Sequence, residues 1–543
     1  MDAFFNKIYA NNRLAVLFLF GISLFFFIGL GFVHLFDWDE INFAETAREM
    51  IQSGDYMRVQ INYIPFWEKP PLFFWMQVIA MKTFGITEFA ARFPNAVFGF
   101  IYLVTFYFIG KKHFSAKFGM LWALVFFGSL LPHIYFKSGI IDPSFNYFIF
   151  LSIYFMLLVI GKSEKHVARY AVLSGVFSGL SVLAKGPVGF LLLGLTLLVY
   201  LVIKKFKPFP QFKYILFFLL GFVLVVTSWL SVEFYQNGTE NMIQFIEYQL
   251  GLFGSDIAGH KQPFYYHFVV VFFGCFPMSI LALPSIRRKI IDTPFDLRTW
   301  MLCLFWVVMI LFSLTTTKII HYSSMAYIPL AFFATLFLIG VLEKKVEVKK
   351  ALRITYLVIG LIVGTLIALL PLVIKYKELI IPYINDPFAV DSLNTPVYWS
   401  GFEAFIGVFF IVAVIFSYIH LKNGRAFKAV VTSSGGLAIT VLCILFFILP
   451  KIEAFTQGPA IAMYQELKDK DCYIETRGFK SYAQFYYGET ESKQMDIYDM
   501  LVAEEIDKPI YLITKSNNDE LDTYPAYRYI KTEGGFKLYV REN

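Results

Sequence analysis

Three carboxylates, Asp37, Asp39 and Glu40, directly follow a long apolar segment near the start of the chain. Asp37 and Glu40 have the spacing of a capping box, and acids in the first turn of a helix suit its dipole. A structural role would therefore explain those two residues. Asp39 is not needed for the cap, and a carboxylate held in place can act as a general base. Asp39 is the strongest candidate for chemistry in this stretch.

Further ionisable residues stand at the ends of apolar segments and not in their middles. They occur in short polar stretches: "FWEKPP" (66–71), "FKSGIIDP" (136–143), "AKGP" (184–187), "GSDIAGHKQPFYYH" (254–267) and "TTTKIIHY" (315–322). Ionisable groups at membrane depth are costly and usually functional. The pattern therefore predicts one polar site assembled from several helix ends.

The composition identifies the class of protein that carries these groups. Of 543 residues, 58% are hydrophobic, 19% aromatic and only 16% charged, and the mean hydropathy is +0.62. Such values indicate an integral membrane protein. The net charge of +7 comes from small Lys and Arg clusters between apolar segments, which excludes a basic nucleic-acid-binding domain and indicates membrane orientation instead.

Apolar segments of membrane-spanning length predict about 13 transmembrane helices. The first, 14–36, lacks a cleavage site and is interpreted as an anchor helix. The others are 91–110, 118–131, 144–160, 170–184, 188–203, 214–231, 265–283, 300–314, 322–342, 354–374, 401–420 and 429–449.

The positive-inside rule decides how the segment 71–85 is interpreted. If it does not span, clusters such as Lys111, Lys112 and Lys117 all fall on the cytoplasmic side. We therefore predict an amphipathic or re-entrant helix at the interface for 71–85. The spacing of Ile41, Ala44, Ala47 and Ile51 likewise predicts an amphipathic helix lying on the outer leaflet.

The composition changes after Pro450. Residues 451–543 are charged and rich in Tyr, with strand-like segments and a hairpin pattern around Gly534 and Gly535. An odd number of spans places this part outside the cell. We predict two domains, a membrane domain of residues 1–450 and a small extracytoplasmic α/β domain of residues 451–543.

The quoted stretches, together with "DEINFAETAREMIQSGDY" and "FGITEFAARFPNA", occur in an order that resembles the ArnT-like family. Its members are aminoarabinose (4-amino-4-deoxy-L-arabinose) transferases of the GT-C group, which also includes protein O-mannosyltransferases. The resemblance is specific in the acidic loop and in the Glu-Lys-Pro-Pro motif, and it weakens over the last spans and the outer domain.

The resemblance implies an inverting glycosyltransferase with a GT-C membrane fold. The expected donor is an aminoarabinose-like or other sugar on polyprenyl (undecaprenyl) phosphate. The expected acceptor is lipid A or another envelope lipid or glycan, at the outer face of the bacterial inner membrane. By the same resemblance, Asp39 is the essential acid and Asp142 a second acid.

The resemblance also implies ligand contacts. Glu68 and His260 correspond to residues that hold a divalent metal resembling zinc, an ion that accepts carboxylate and imidazole ligands. His267 and His321 are the nearest further ligands in the sequence. Lys69 and Tyr322 correspond to residues that contact the carrier phosphate.

Two departures from the family pattern affect the expected contacts. The family usually has Lys-Leu-Pro before the Tyr, where this chain has 318–321, "KIIH". It also commonly has Pro-Arg-Tyr after the Asp-Glu pair, where this chain has 41–43, "INF". The first departure concerns the phosphate contacts, and the second concerns the sugar or acceptor.

The chemistry of the transfer predicts further roles. A departing phosphate anion requires cations in a dry, preorganised site, for which Lys69, Lys318 and His321 are candidates. Lys185 is a further candidate, although it could simply end a helix. Each of these cations could instead be an interfacial or hydrogen-bonded residue.

Two roles stay open for Asp39. It is the general base if the acceptor is a hydroxyl group; if the acceptor is a phosphate, it stabilises the oxocarbenium-like sugar or binds an amine on it. Glu40 is included with Asp39 and Asp142 among the candidate catalytic acids, beside its capping interpretation. A single displacement would invert the anomeric centre.

Three other kinds of membrane protein share some of these features. A protein O-mannosyltransferase resembles the chain in its Asp-Glu loop but usually carries a large β-rich insertion that is missing here. A lipid-sugar flippase or transporter would show repeated halves and broken helices with polar groups near the midplane. A membrane scaffold would not need so many ionisable groups on one face.

Overall fold

The computed structural model describes residues 7–161, 166–251 and 262–542. In chain order the α-helices are Asn12–Phe27 (α1), Asp39–Ser53 (α2), Leu72–Phe84 (α3), Glu88–His113 (α4), Ala116–Phe127 (α5), Leu130–Tyr135 (α6), Asp142–Ile160 (α7), Val167–Lys185 (α8), Val188–Ile203 (α9), Phe212–Gly251 (α10, bent at Gly238), Tyr266–Gly274 (α11), Met278–Arg287 (α12), Leu297–Leu314 (α13), Tyr327–Leu342 (α14), Lys350–Lys375 (α15), Pro387–Asn394 (α16), Ala404–Lys422 (α17), Ala426–Phe447 (α18), Leu449–Glu453 (α19), Gly458–Gln465 (α20), Ala483–Tyr487 (α21) and Ile497–Val502 (α22). The strands are Gln60–Ile61 (β1), Ile64–Pro65 (β2), Tyr473–Arg477 (β3), Ile510–Lys515 (β4), Arg528–Glu533 (β5) and Phe536–Arg541 (β6). Short 3₁₀ helices lie at Pro294–Asp296, Ile320–Ala326, Lys377–Leu379, Ile381–Tyr383 and Glu520–Thr523.

The apolar helices confirm a multi-pass membrane protein. Within the described ranges, nine helices are long and apolar enough to cross a membrane, or ten if the pair α11 and α12, bent by 113°, is one span. Three more predicted spans correspond to the shorter apolar helices α1, α5 and α9. Each predicted span thus has a helical counterpart, and the number that cross completely stays a prediction.

Helices in the bundle approach one another closely where glycines face them. A Cβ at Gly175 of α8 would collide with the carbonyl oxygen of Phe218, and one at Gly221 of α10 would collide with that of Val172. In lipid, helices associate through such close packing because the hydrophobic effect supplies little force between them. Small residues at these positions therefore bring α8 and α10 together.

Helix α2 differs from its predicted position. Its residues 40–50 are all buried by other parts of the protein, whereas a helix on the outer leaflet would expose its polar face. Ion pairs and hydrogen bonds compensate its charged side chains: Arg48 donates to both carboxylate oxygens of Glu45 in the same helix at 2.6 Å. The helix is part of the core that supports the site.

The capping interpretation of the first acids is wrong. Helix α2 begins at Asp39, and its N-cap position is Trp38, with no side-chain cap hydrogen bond. Asp37 accepts a hydrogen bond from Ser481, far along the chain, and Glu40 pairs with Arg92. Asp37 and Glu40 therefore bind residues that are distant in the sequence, and neither of them caps the helix.

The last 70 residues of the described chain contain a four-stranded sheet with the order β3-β4-β6-β5. Strands β3 and β4 are parallel, and the other two pairings are antiparallel. The predicted hairpin is confirmed: β5 and β6 are joined at Gly534 and Gly535, which both have positive φ. The predicted domain boundary after Pro450 falls within α19 and stays a prediction.

The C-terminal region holds the loop before α2. The hydroxyl of Tyr487 accepts from the backbone N–H of Leu35 at 2.7 Å, and Gln457 donates to the carbonyl of Leu35 at 2.9 Å. Arg48 of α2 donates to the carbonyl of Thr490 at 2.8 Å. The sheet region and the first loop therefore form one structural unit around Asp37 and Asp39.

Candidate active site

A single cavity of about 1620 Å³, here called the main cavity, collects most of the predicted site residues. Its charged, His and Tyr lining residues are Asp37, Asp39, Glu40, Glu68, Lys69, Arg92, Lys137, Asp142, Lys185, Tyr248, His321, Tyr322, Lys480 and Tyr482. Apolar residues such as Leu30, Val33, Leu314 and Leu445 line other parts of it. The cavity therefore offers both a charged centre and apolar walls.

Four ionisable residues form a line of contacts in the main cavity. His321 Nε2 lies 3.2 Å from Asp39 Oδ2 and 3.9 Å from Asp142 Oδ2. Lys185 Nζ in turn lies 2.5 Å from Asp142 Oδ1. The imidazole therefore stands between the two acids that the resemblance singles out, with a lysine behind the second.

Helix ends explain why Asp142 and Lys185 meet. Asp142 is the first residue of α7, where a negative charge suits the positive end of the helix dipole. Lys185 is the last residue of α8, which stops at Gly186 with φ +87. Lys185 thus ends a helix, as its local sequence allows, and also pairs with Asp142 in the cavity.

A buried hydrogen-bond network fixes the 3₁₀ helix that carries His321 and Tyr322. The hydroxyl of Tyr135 donates to Ser324 Oγ at 2.7 Å, and Asn146 Nδ2 donates to the same oxygen at 2.8 Å. Satisfied buried polar networks specify one arrangement of the groups that they join. The ring of Tyr322 lies 5.2 Å from Lys185 Nζ, so the two face the same space.

Lys69 is positioned by the small hairpin β1–β2. Both carboxylate oxygens of Glu49 accept from the backbone N–H groups of Asn62 and Tyr63 in the hairpin turn, at 2.6 and 2.8 Å. The chain then leads to Glu68 and Lys69, whose charged atoms lie 2.5 Å apart. Burial alone would lower the pKa of Lys69, but the charges of Glu68 and Asp39 raise it above its ordinary value. Lys69 is therefore a charged ammonium group inside the cavity.

Glu40 is held by Arg92 and is not available as a free acid. Its two oxygens accept from Arg92 at 3.0 and 2.8 Å and from the backbone N–H groups of Gly139 and Phe36 at 2.5 and 3.0 Å. Burial alone would raise the pKa of Glu40, but Arg92 and these hydrogen bonds hold it below its ordinary value. These contacts make Glu40 a residue that positions the loop beside Asp39, and its role as a catalytic acid stays a prediction that they do not support.

Lys318 lies apart from the other predicted cations of the site, and its role stays a prediction. It does not line the main cavity, it is 6% exposed, and its ammonium group donates to the carbonyl of Thr315 at 2.5 Å. A buried ammonium group needs such an acceptor nearby. His321 and Tyr322, three and four residues later, reach the cavity in its place.

The predicted metal site is incomplete among the described residues. His260 lies outside them, and Glu68 is paired with Lys69. No group of three or more His, Cys, Asp or Glu side chains that could hold a metal occurs in ranges 7–161, 166–251 and 262–542. The side chains present do not fit a metal by themselves, and the zinc site stays a prediction.

Several cavity residues were not singled out from the sequence. Lys137 is buried and donates to the carbonyl of Ile28 at 2.8 Å, and burial lowers its pKa to about 7. Lys480 and Tyr482 come from the C-terminal region: Lys480 Nζ lies 4.9 Å from the centre of the Trp38 ring. The stretch "FKSGIIDP" contained a signal for Lys137, whereas nothing local pointed to Lys480.

Asp37 also lies in the wall of the cavity. Its carboxylate accepts from Ser481 Oγ, and burial raises its pKa to about 6 despite that hydrogen bond. The rings of Trp38 and Tyr482 pack beside this contact with centroids 5.1 Å apart. Asp37 therefore joins the first loop to the C-terminal region next to Asp39.

Comparisons with known proteins agree with this geometry. Residues 68–230 match the family described as Dolichyl-phosphate-mannose-protein mannosyltransferase. A relative from Wigglesworthia glossinidia brevipalpis, named Undecaprenyl phosphate-alpha-4-amino-4-deoxy-L-arabinose arabinosyl transferase, is 25% identical over 414 residues, which are 73% of this chain and 70% of the relative. An uncharacterized protein of Aquifex aeolicus is 26% identical over 74% of this chain and 79% of its own length.

The structural comparison decides the fold. The crystal structure of ArnT from Cupriavidus metallidurans bound to undecaprenyl phosphate superposes with a TM-score of 0.75, at 15% identity, over 97% of both chains. The chain has the GT-C fold of ArnT. The family resemblance and the all-α membrane fold class predicted from the sequence are thereby confirmed. The ArnT-like fold extends over the C-terminal region, where the sequence resemblance is weak.

Proposed function

We propose that this ArnT-like protein is an inverting glycosyltransferase that moves a sugar from polyprenyl phosphate to lipid A or another envelope lipid or glycan. The observation that carries the proposal is the main cavity, in which Asp39, His321, Asp142 and Lys185 stand in line beside Lys69. The predicted location, the outer face of the bacterial inner membrane, is part of the proposal.

Asp39 acts either on the attacking group or on the sugar in this proposal, depending on the acceptor. If the acceptor is a hydroxyl group, Asp39 takes its proton; if it is a phosphate, Asp39 faces the positive charge that develops on the sugar. His321, 3.2 Å away, keeps the carboxylate in one orientation. Since Asp142 is paired with Lys185, it is poorly placed to form a covalent sugar intermediate, which favours one displacement with inversion.

Cations stabilise the departing carrier phosphate. Lys69 is a largely buried cation, and Lys185 lies beside Tyr322 in the same cavity. Preorganised charges in a site with little water stabilise a developing anion far more than they would in bulk water. The apolar walls of the cavity take the first part of the polyprenyl chain. The proposal uses no step that depends on a metal.

The test is sugar transfer by the purified protein in lipid vesicles. A radiolabelled sugar on undecaprenyl phosphate is the donor, and envelope lipids are the acceptors. We expect labelled lipid and free undecaprenyl phosphate in equal amounts. Mass spectrometry of lipid A and other envelope glycans from cells with and without the protein then identifies the product. Absence of any sugar transfer from a polyprenyl-phosphate donor would refute the proposal.

The family match favours a protein acceptor as the second candidate. The description of the matched family names protein mannosyltransferases. Supplying the same vesicles with secreted polypeptides that contain Ser and Thr separates the two acceptor classes. Label on protein, with none on lipid, would select this second function.

The membrane orientation leads to a labelling prediction. Asn517 is exposed beside β4, and Asn423 is exposed after α17. In a Cys472→Ser background we expect an impermeant maleimide to label Asn517→Cys in intact cells and to miss Asn423→Cys, because the Lys/Arg clusters orient Asn423 inwards. Disrupting the membrane should make both react. Labelling of Asn423→Cys in intact cells would show that the protein has the opposite orientation in the membrane.

Lys69 should contribute to binding of the donor. Lys69→Ala removes a charge-assisted contact to phosphate, and we expect the dissociation constant of undecaprenyl phosphate to rise at least about tenfold with little change for the acceptor. Binding to the purified protein measures both. Lys82→Ala is the matched control, because Lys82 donates to the hydroxyl of Tyr56 outside the cavity. If donor binding and acceptor binding are weakened equally, Lys69 serves only as an interfacial anchor.

A further inference from the structure

A second cavity of about 490 Å³ lies between helix α16 and the C-terminal region. Helix α16 forms one side with Phe388, and the region of α19 and α20 forms another with Phe455 and Ile461. Phe479 and Phe536 of the C-terminal region complete its largely apolar wall.

The second cavity shares a thin wall with the main cavity. Along the segment 479–483, Phe479, Ser481 and Ala483 line the second cavity, whereas Lys480 and Tyr482 line the main cavity. Asp37 lines both and accepts a hydrogen bond from Ser481. One short segment and one carboxylate therefore separate the two spaces.

Two residues that line this cavity have buried hydroxyl groups without a partner. Tyr464 is 1% exposed and Ser392 is 7% exposed, and among the described residues neither hydroxyl has a hydrogen-bond partner. Both residues line the second cavity. Buried polar groups are normally paired, because an unmade hydrogen bond in an apolar place is costly. An occupant that accepts hydrogen bonds would satisfy them.

The surroundings of α16 indicate where the occupant comes from. Helix α16 lies in the connection between the apolar helices α15 and α17. That connection exposes large apolar or aromatic side chains: Tyr376, Leu379, Tyr383, Tyr398 and Phe402. Aromatic residues concentrate at membrane–water interfaces. One wall of the second cavity is therefore built by a segment with the character of an interfacial anchor.

We propose that the second cavity binds an acyl chain of the lipid acceptor, with the carbonyl of its ester or amide linkage accepting hydrogen bonds from Tyr464 and Ser392. The inference rests on the proposed function for the identity of that lipid. A polyprenyl chain is pure hydrocarbon and would leave both hydroxyls unpaired, so the cavity selects an acylated lipid over the donor. The shared wall places its head group beside the main cavity.

Photolabelling of the full-length protein in alkyl maltoside micelles tests the site. The probes are a long-chain methyl ester with a diazirine in its chain and the matched diazirine alkane without an ester. We expect the ester to label peptides of α16 and α20. Tyr464→Phe with Ser392→Ala should lower ester labelling about tenfold, the scale of one or two lost hydrogen bonds, to the level of the alkane. Equal labelling by both probes would overturn the carbonyl site.

Filling the cavity tests its occupancy. Ala460→Trp on α20 points a large ring into the cavity and should abolish labelling. Ala462→Trp, on the same helix but outside the cavity lining, is the control. If Ala460→Trp does not fold, Ala389→Phe fills the cavity from α16. Labelling that survives a folded filled variant would refute the site.

A kinetic measurement assigns the lipid. In the filled variant, KM for the acylated acceptor should rise about tenfold while KM for the donor is unchanged. Lost labelling with an unchanged acceptor KM would mean that a bulk lipid occupies the cavity, and the acceptor assignment would be wrong. Labelling does not depend on turnover, so failure of the proposed function would appear separately, as absent sugar transfer by the unmodified protein.

Discussion

Asp39→Asn should lower the turnover of sugar transfer at least about a hundredfold, the scale for losing a positioned acid or base. The carboxylate lies 3.2 Å from His321 in the main cavity, and Asn has nearly the same size but cannot take a proton or carry a negative charge. Binding of undecaprenyl phosphate should change little, because Lys69 is untouched. Single-turnover transfer in vesicles and donor binding measure the two effects.

The matched control is Asp496→Asn. Asp496 caps α22 by accepting from the N–H of Tyr498 at 2.8 Å, and it lies outside the main cavity. Since Asn is also a good N-cap residue, this variant should keep normal turnover. Near-normal turnover of Asp39→Asn would show that another group carries the reaction.

Arg92→Met should destabilise the fold by about 3–5 kcal/mol, the cost of leaving one partner of a buried ion pair unpaired. Arg92 pairs with Glu40 and also donates to the carbonyls of Leu30, Val33 and His34 at 2.6–2.9 Å. Its loss leaves a buried carboxylate and three acceptors without their donor. Chemical denaturation of the purified protein in mixed micelles measures the loss.

Two variants make this result specific. Arg528→Met removes an exposed pair with Glu542 at 3.4 Å and should cost about 0–1 kcal/mol. The double variant Glu40→Gln with Arg92→Met should be more stable than Arg92→Met alone, because no buried charge is then left unpaired. If Arg92→Met is no worse than Arg528→Met, the pair does not hold the loop before Asp39.

Much of the site could be predicted because its residues carry local signals. Asp39, Lys69, Asp142, Lys185 and Tyr322 all line the main cavity. Each stands in a short polar stretch between apolar segments, and polar groups at such positions are costly unless they are used. The residues that stabilise the site lacked such signals. Arg92 lies inside α4, and Lys480 lies in the C-terminal region, where the sequence resemblance is weak.

The sequence by itself determined the membrane class, the apolar segments and the β5–β6 hairpin. These depend on length, hydropathy and turn residues, which are local properties. It could not determine the partners of Asp37, Glu40 and Lys318. Asp37 and Glu40 have the spacing of a capping box, yet Asp37 binds Ser481 and Glu40 binds Arg92. Buried charges pair with whichever groups the fold brings within a few ångströms. Only the tertiary structure decides those distances.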